Sequence, residues 1–418
     1  MNKRRFLKTL TGGFSLATLN LEKIFADVSH LPPHQLAKNE DFWLKIRNSY
    51  RLKPDYINLE NGYYCFQSQE VLEKYIQHVR DINYQGSYYM RTVQVENKAK
   101  TQKQLAELLG CTAEELIITR NTTESLDTVI AGYDWKPGDE AVMAQQDYGA
   151  MLDMFKHQAR RYGMVNKVIS VPNHPKSDEE IVALYEKAIT PRTRLLMVCH
   201  MINITGQVLP IRKIADMAHK HGVDVMVDGA HAVAHINFNV NDLGCDYYGS
   251  SLHKWLSCPL GAGLLYVKKE KVKDLWAIYG DSGYADTDIR KLNHTGTHPC
   301  ATDLTILDAL AVLKTIGIEQ KEARLRYLQQ YWTNKVRTIP KIMVNTPVES
   351  SRACGIANVG IEGLKPGDLA KQLLEKYKIW TVAIDYANVR GVRVTPNVYT
   401  TTQELDQFVA ALKGLATT

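Results

Sequence analysis

Short runs that are apolar at nearly every position recur through the middle of the chain, at 116–119, 141–143, 194–199, 223–227 and 264–267. A strand without polar alternation has no face to give to water, so it must lie in a sheet covered on both sides. Helix-like segments separate the runs: one begins near Thr122, one follows the Asp147-Tyr148-Gly149 loop, and one spans 211–221. This alternation predicts an α/β fold built on a large, mostly parallel sheet.

A change of composition near Gly317 introduces a charged helix to about Val336, then short strands and a terminal helix, the pattern of a smaller α+β domain. The expected divisions are a leader over 1–26, an N-terminal segment joining the small domain over 27–65, the large domain over 66–316 and the small domain over 317–418. A chain of 418 residues, 45% of them hydrophobic, can bury cores of this size.

Charge narrows the partners. Lys plus Arg is 51 against 45 for Asp plus Glu, a net charge of +6 with no basic block beyond the first eight residues, which disfavours nucleic acid and suits a small anion. The seven cysteines are scattered, odd in number and without CxxC spacing, so buried free thiols are expected and a metal site is not. Neither GxGxxG after the first strand nor GxxxxGK[ST] occurs, which removes the main support for a nicotinamide or P-loop enzyme.

The chain opens with Lys3-Arg4-Arg5-Phe6-Leu7-Lys8 and a modestly apolar stretch over 9–21 that is too short and polar to span a bilayer. This layout resembles the twin-arginine signal of bacterial export and implies contact with the export machinery and a periplasmic location, a cytoplasmic one being the alternative.

The chemistry concentrates in Val225-Met226-Val227-Asp228-Gly229-Ala230-His231 and Tyr248-Gly249-Ser250-Ser251-Leu252-His253-Lys254-Trp255. Asp228 closes an apolar strand, and Lys254 follows 26 residues later before a Gly-rich turn. In an open sheet both belong at the carboxyl ends of strands, where ligands bind. Pyridoxal phosphate requires this pair: a lysine amine for a Schiff base, and an acid beside the pyridine nitrogen to keep the ring an electron sink.

These motifs resemble the class V aminotransferase-like family of fold type I pyridoxal-phosphate enzymes, which includes cysteine desulfurases and isopenicillin N epimerase-like proteins. The resemblance runs from about Tyr56 to the C-terminus. It implies Lys254 and Asp228 as catalytic residues. It implies a phosphate cup at Thr122 and Thr123, where helix N-terminal N–H groups face an anion. Tyr148 would stack on the pyridine ring, Asn203 would touch the cofactor's phenolic oxygen or the substrate, His231 would line the cofactor cleft, and Ser251 and His253 would be further phosphate contacts. Thr297 would reach the phosphate across a homodimer interface. Arg393 would grip the substrate carboxylate, with Asn61 and Arg91 as further substrate contacts.

The implied activity is transformation of a small amino substrate, with transamination as the leading expectation and epimerase or C–S lyase chemistry as the alternative; a non-catalytic pyridoxal-phosphate-binding protein is the remaining reading. Exported members of the family tailor siderophores, which makes a peptide natural product a candidate substrate. The segment 380–391 holds no cysteine ahead of Arg393, which departs from the cysteine desulfurases and disfavours persulfide transfer.

Overall fold

The computed structural model describes residues 25, 28, 30–280 and 283–417. The expected leader, apart from Phe25, lies outside the described residues.

Strand β1 (Ile57–Asn58) precedes helices α1 (Gln69–Gln85) and α2 (Gln94–Leu109). There follow β2 (Leu116–Thr119), α3 (Thr122–Gly132), β3 (Glu140–Ala144), α4 (Gly149–Tyr162), β4 (Val165–Ile169), β5 (Thr193–Cys199), α5 (Ile211–Lys220), β6 (Asp224–Asp228), β7 (Tyr247–Ser251) and β8 (Gly263–Val267). Strands β2 to β8 form one seven-stranded sheet in the order β2-β8-β7-β6-β5-β3-β4. Pairing is parallel from β4 across to β7, while β8 runs antiparallel to both β7 and β2. The apolar runs predicted as strands are β2, β3, β5, β6 and β8, and burial explains their composition: β2, β3, β7 and β8 are buried at every position.

Two strands were not legible as apolar runs. β4 is the sheet edge and is half-exposed, so it keeps Asn166 and Lys167. β7 is fully buried yet reads Tyr-Tyr-Gly-Ser-Ser, because its small residues let helix α3 approach. The same closeness holds at Gly263 in β8, where an added Cβ would lie 2.6 Å from the Asn121 backbone nitrogen.

Beyond the sheet come α6 (Cys300–Ile316), α7 (Ile318–Val336), β9 (Ile342–Val344), β10 (Ala357–Ile361), α8 (Pro366–Tyr377), β11 (Ile379–Trp380), β12 (Val382–Tyr386), β13 (Val389–Val394) and α9 (Thr402–Thr417). An antiparallel sheet in the order β12-β13-β10-β9 packs with α7 and α9 around Leu328, Trp332, Phe408 and Leu412. Each such side chain, fully buried, contributes about 1.5–3 kcal/mol. The N-terminal segment is tied to this unit: β1 pairs in parallel with β11, and the Thr395 N–H donates to Leu59 O. That tie carries residues 60–63 to the end of β13, beside Arg393.

Candidate active site

Registry places the main groups. Asp228 ends β6 opposite Cys199 of β5 and Gly249 of β7, so the carboxyl ends of three adjacent parallel strands meet at one point. Lys254 lies three residues beyond β7. Together with the start of α3, these ends enclose a cavity of about 230 Å³ lined by Thr122, Thr123, Tyr148, Asn203, Asp228, His231, Ser251, His253, Lys254 and Arg393.

Helix α3 begins at the cavity because Asn121 caps it, its side chain accepting from the Glu124 N–H at 2.9 Å. Ser251 Oγ accepts from the Thr122 N–H at 2.8 Å and lies 2.7 Å from Thr122 Oγ1, joining β7 to the helix start. Two hydroxyls and the N-terminal end of a helix thus converge on one wall, an arrangement suited to a phosphate.

Asp228 is buried, and its carboxylate accepts from the Ala230 N–H at 2.9 Å. Burial pushes its carboxyl above the usual range, while the Ala230 N–H and the Lys254 ammonium pull the other way. A protonated pyridine nitrogen would add a cationic hydrogen-bond donor to this buried acid. The Lys254 amine is pushed down to about 8, chiefly by burial; Asp228 opposes the shift and Arg393 adds to it. Its Nζ lies 3.1 Å from His231 Nε2. Burial also pushes His253 down to about 4 and His231 well below its ordinary value, so both rings are neutral at pH 7.

Two buried polar atoms at the cavity, Asn203 Oδ1 and His253 Nδ1, make no hydrogen bond of full strength; Asn203 interacts with Tyr386 and His253 with the Ala262 backbone. Unmet polar groups in such a place indicate a ligand. With the cup, the acid and the lysine, they fit pyridoxal phosphate.

Two expected contacts require correction. Asn61 does not line the cavity: its side chain is buried and engaged with Thr395 O, Tyr399 and Asn58, so it fixes the turn while Gly62 and Tyr63 face the cleft. Arg91 and Thr297 line a separate cavity between the helix carrying Arg91 and the 293–300 segment, so Arg91 does not reach the cleft of its own chain; the expectation for Thr297 concerns the cleft of a second subunit.

Sequence reasoning missed Glu60. Its carboxylate accepts from Arg393 Nε at 3.1 Å and Nη2 at 2.6 Å, and from the Tyr63 N–H at 2.9 Å. Arg393 Nη1 reaches Asn203 O at 3.3 Å. An acid directly after the strand-like Ile57-Asn58-Leu59 and before a Gly turn was the available signal, since a buried carboxylate requires a cation. Cys199 also lines the cleft, with its thiol pushed well up by burial and by the nearby Asp147 and Asp228 carboxyls.

The family model described as aminotransferase class-V matches residues 67–408. The chain is 26% identical to an isopenicillin N epimerase of Streptomyces clavuligerus over 333 residues, covering 76% of this chain and 84% of that protein. It is 27% identical to a cysteine desulfurase of Haloferax volcanii, covering 74% and 76%. Among solved structures, a C-DES variant with glycine covalently linked to its PLP cofactor superposes with a TM-score of 0.80 at 20% identity, over 88% of this chain and 98% of that one. These findings overturn transamination as the leading expectation: cysteine desulfurases recur among the relatives, beside isopenicillin N epimerases and a hercynylcysteine sulfoxide lyase of Schizosaccharomyces pombe.

Proposed function

Since this chain belongs to the class-V aminotransferase family, we propose that it is a pyridoxal-phosphate-dependent lyase that removes the Cα proton of a small amino acid and expels a substituent from the neighbouring carbon. The observation carrying the lyase reading is the cysteine placement. The 380–391 segment offers none, and Cys199, which lines the cleft, has its thiol held protonated, so neither supplies a thiolate acceptor for a departing sulfur group.

Bound pyridoxal phosphate supplies the electron sink for charge developing at the substrate Cα. Thr122, Thr123 and Ser251, which line the cavity, would hold its phosphate, and Asp228 would keep a proton on its pyridine nitrogen. Lys254 would hold the cofactor through its Nζ. Once freed, its Nζ takes the Cα proton and returns it to the departing group, and an amine pushed down to about 8 serves both steps near neutrality. Arg393 keeps one N–H on each of Nη1 and Nη2 for a carboxylate, the others being taken by Glu60 and by Asn203 O.

Epimerisation is the second reading, favoured by the Streptomyces relative. A panel of amino acids carrying β-sulfur substituents, followed for keto acid, ammonia and released sulfur together with the stereochemistry of recovered substrate, separates the two. Stoichiometric keto acid and ammonia supports the lyase. Inverted substrate without ammonia replaces it with the epimerase.

Two wider proposals accompany this reading. Helix α1 buries only Val71, and Val79, Tyr84, Tyr88 and Val95 stand exposed along this region, which supports pairing with a second copy of the chain. Light scattering at micromolar concentration tests it, with a monomer as the contrary result. The Arg4-Arg5-Phe6-Leu7-Lys8 run supports export to the periplasm. Replacing Arg4 and Arg5 by lysine should trap the protein in the cytoplasm, and unchanged fractionation would rule that route out.

A further inference from the structure

His231 sits between two nitrogen atoms. Its Nε2 lies 3.1 Å from Lys254 Nζ, and its Nδ1 lies 3.2 Å from Trp255 Nε1. An indole nitrogen can only donate. Trp255 therefore requires a bare lone pair on His231 Nδ1, and the single proton of the neutral ring must be on Nε2, facing the lysine.

The surroundings make this assignment rigid. Trp255 is fully buried, and its ring stacks on His235 with centroids 3.6 Å apart. His235 has a fixed tautomer of its own: the Gly355 N–H donates to its Nε2 at 2.8 Å, so its proton is on Nδ1 and goes to His231 O, also at 2.8 Å. Lys321 Nζ donates to Trp255 O from the other side. Neither the indole nor the imidazole can turn without stranding a buried polar group.

We propose that Trp255 is a positioning residue that fixes His231 as an Nε2–H donor toward Lys254, so that His231 stabilises the unprotonated nitrogen of Lys254 and never acts as the base. This deepens the pyridoxal-phosphate reading and rests on it for the role of Lys254. An ammonium at Lys254 would need an acceptor at His231 Nε2, which the Trp255 N–H denies. Without that N–H, the ring could move its proton to Nδ1 and accept from the ammonium. The other groups acting on Lys254 are Asp228, Cys65 and Cys199, which favour its charged form, and Arg393, which opposes it; Arg393, His235 and His253 act on His231.

Trp255→Phe keeps an aromatic ring against His235 and deletes only the donor. In the full-length holoenzyme it should raise the pH midpoint of the lysine-bound cofactor's visible absorbance by about half a unit or more. An unchanged or lowered midpoint would overturn the proposal. A measurement on the unmutated chain covers the case of a variant that fails to fold: with ¹⁵N-labelled histidine, His231 should show a protonated Nε2 and a bare Nδ1, with and without pyridoxal phosphate. A protonated Nδ1 would overturn it. Absence of any visible band with the expected tautomer would count against the cofactor reading and leave the hydrogen-bond assignment standing.

Discussion

Arg393 lays its Nε and Nη2 against the two carboxylate oxygens of Glu60, at 3.1 and 2.6 Å, with both side chains almost wholly buried. The pair joins the turn after β1 to the end of β13, and it sets which edge of the guanidinium faces the cleft. Glu60→Ala would leave a buried cation unpaired, a change that costs about 3–5 kcal/mol. Chemical denaturation of the variant should show a loss of that size, and a neutral result would mean that the ion pair does not hold the site.

Gly62 lies flat on the same guanidinium. An added Cβ would fall 2.8 Å from Arg393 Cζ. Gly62→Ala should therefore push the anchor aside and lower kcat/KM by about ten- to a hundredfold, mainly through KM, with some loss of thermal stability as the Glu60 pair is strained. Steady-state kinetics with and without a carboxylate on the substrate check this, since an amine lacking the carboxylate should be indifferent to the change.

Lys254→Ala removes the proposed base. Turnover should fall by at least about 10²–10⁴-fold. Thermal unfolding should be unchanged or slightly later, because the lost amine is buried and held below its ordinary value by that burial. A variant that keeps its rate would dismiss the residue.

Lys254 also sets a pH dependence. Its free amine is pushed down from 10.5 to about 8, so the neutral fraction grows as pH rises through about 8. In cofactor-free protein, labelling of Lys254 by a small amine-reactive reagent should rise with a midpoint near that value. A midpoint close to that of a surface lysine would contradict the buried environment.

His219 gives a stability signature away from the site. Its Nε2 lies 2.8 Å from Asp246 Oδ2, and that hydrogen bond raises the ring's affinity for protons above the ordinary 6.5, against an opposing effect of burial. A raised value in the folded state means the stabilisation is complete below about 6.5 and fades as pH climbs through the folded value. The melting-point gap between parent and His219→Asn should therefore narrow from about pH 6 to about pH 9; a gap that widens would reverse the sign.

The sheet was legible because burial on both faces leaves a plain mark: 194–199 and 223–227 could hardly be anything but covered strands. β7 was hidden because close packing against α3 replaced its aliphatics with Gly249, Ser250 and Ser251. At the site, Asp228 and Lys254 were readable from chemistry and order along the chain. Glu60 was not, since it pairs with a residue 333 positions away and no local pattern announces the partner. Asn61 drew attention as a polar turn residue, yet its neighbours Gly62 and Tyr63 face the cleft while its own amide holds the turn to Thr395. Arg91 and Thr297 share a cavity of their own, a relationship that spacing in sequence does not reveal.

Borohydride reduction of the holoenzyme, followed by proteolysis and mass spectrometry, tests the central claim most directly. Pyridoxyl modification of the Lys254 peptide alone, abolished in Lys254→Ala, is the predicted result. Modification at another lysine, or none in cofactor-saturated protein, would contradict the account.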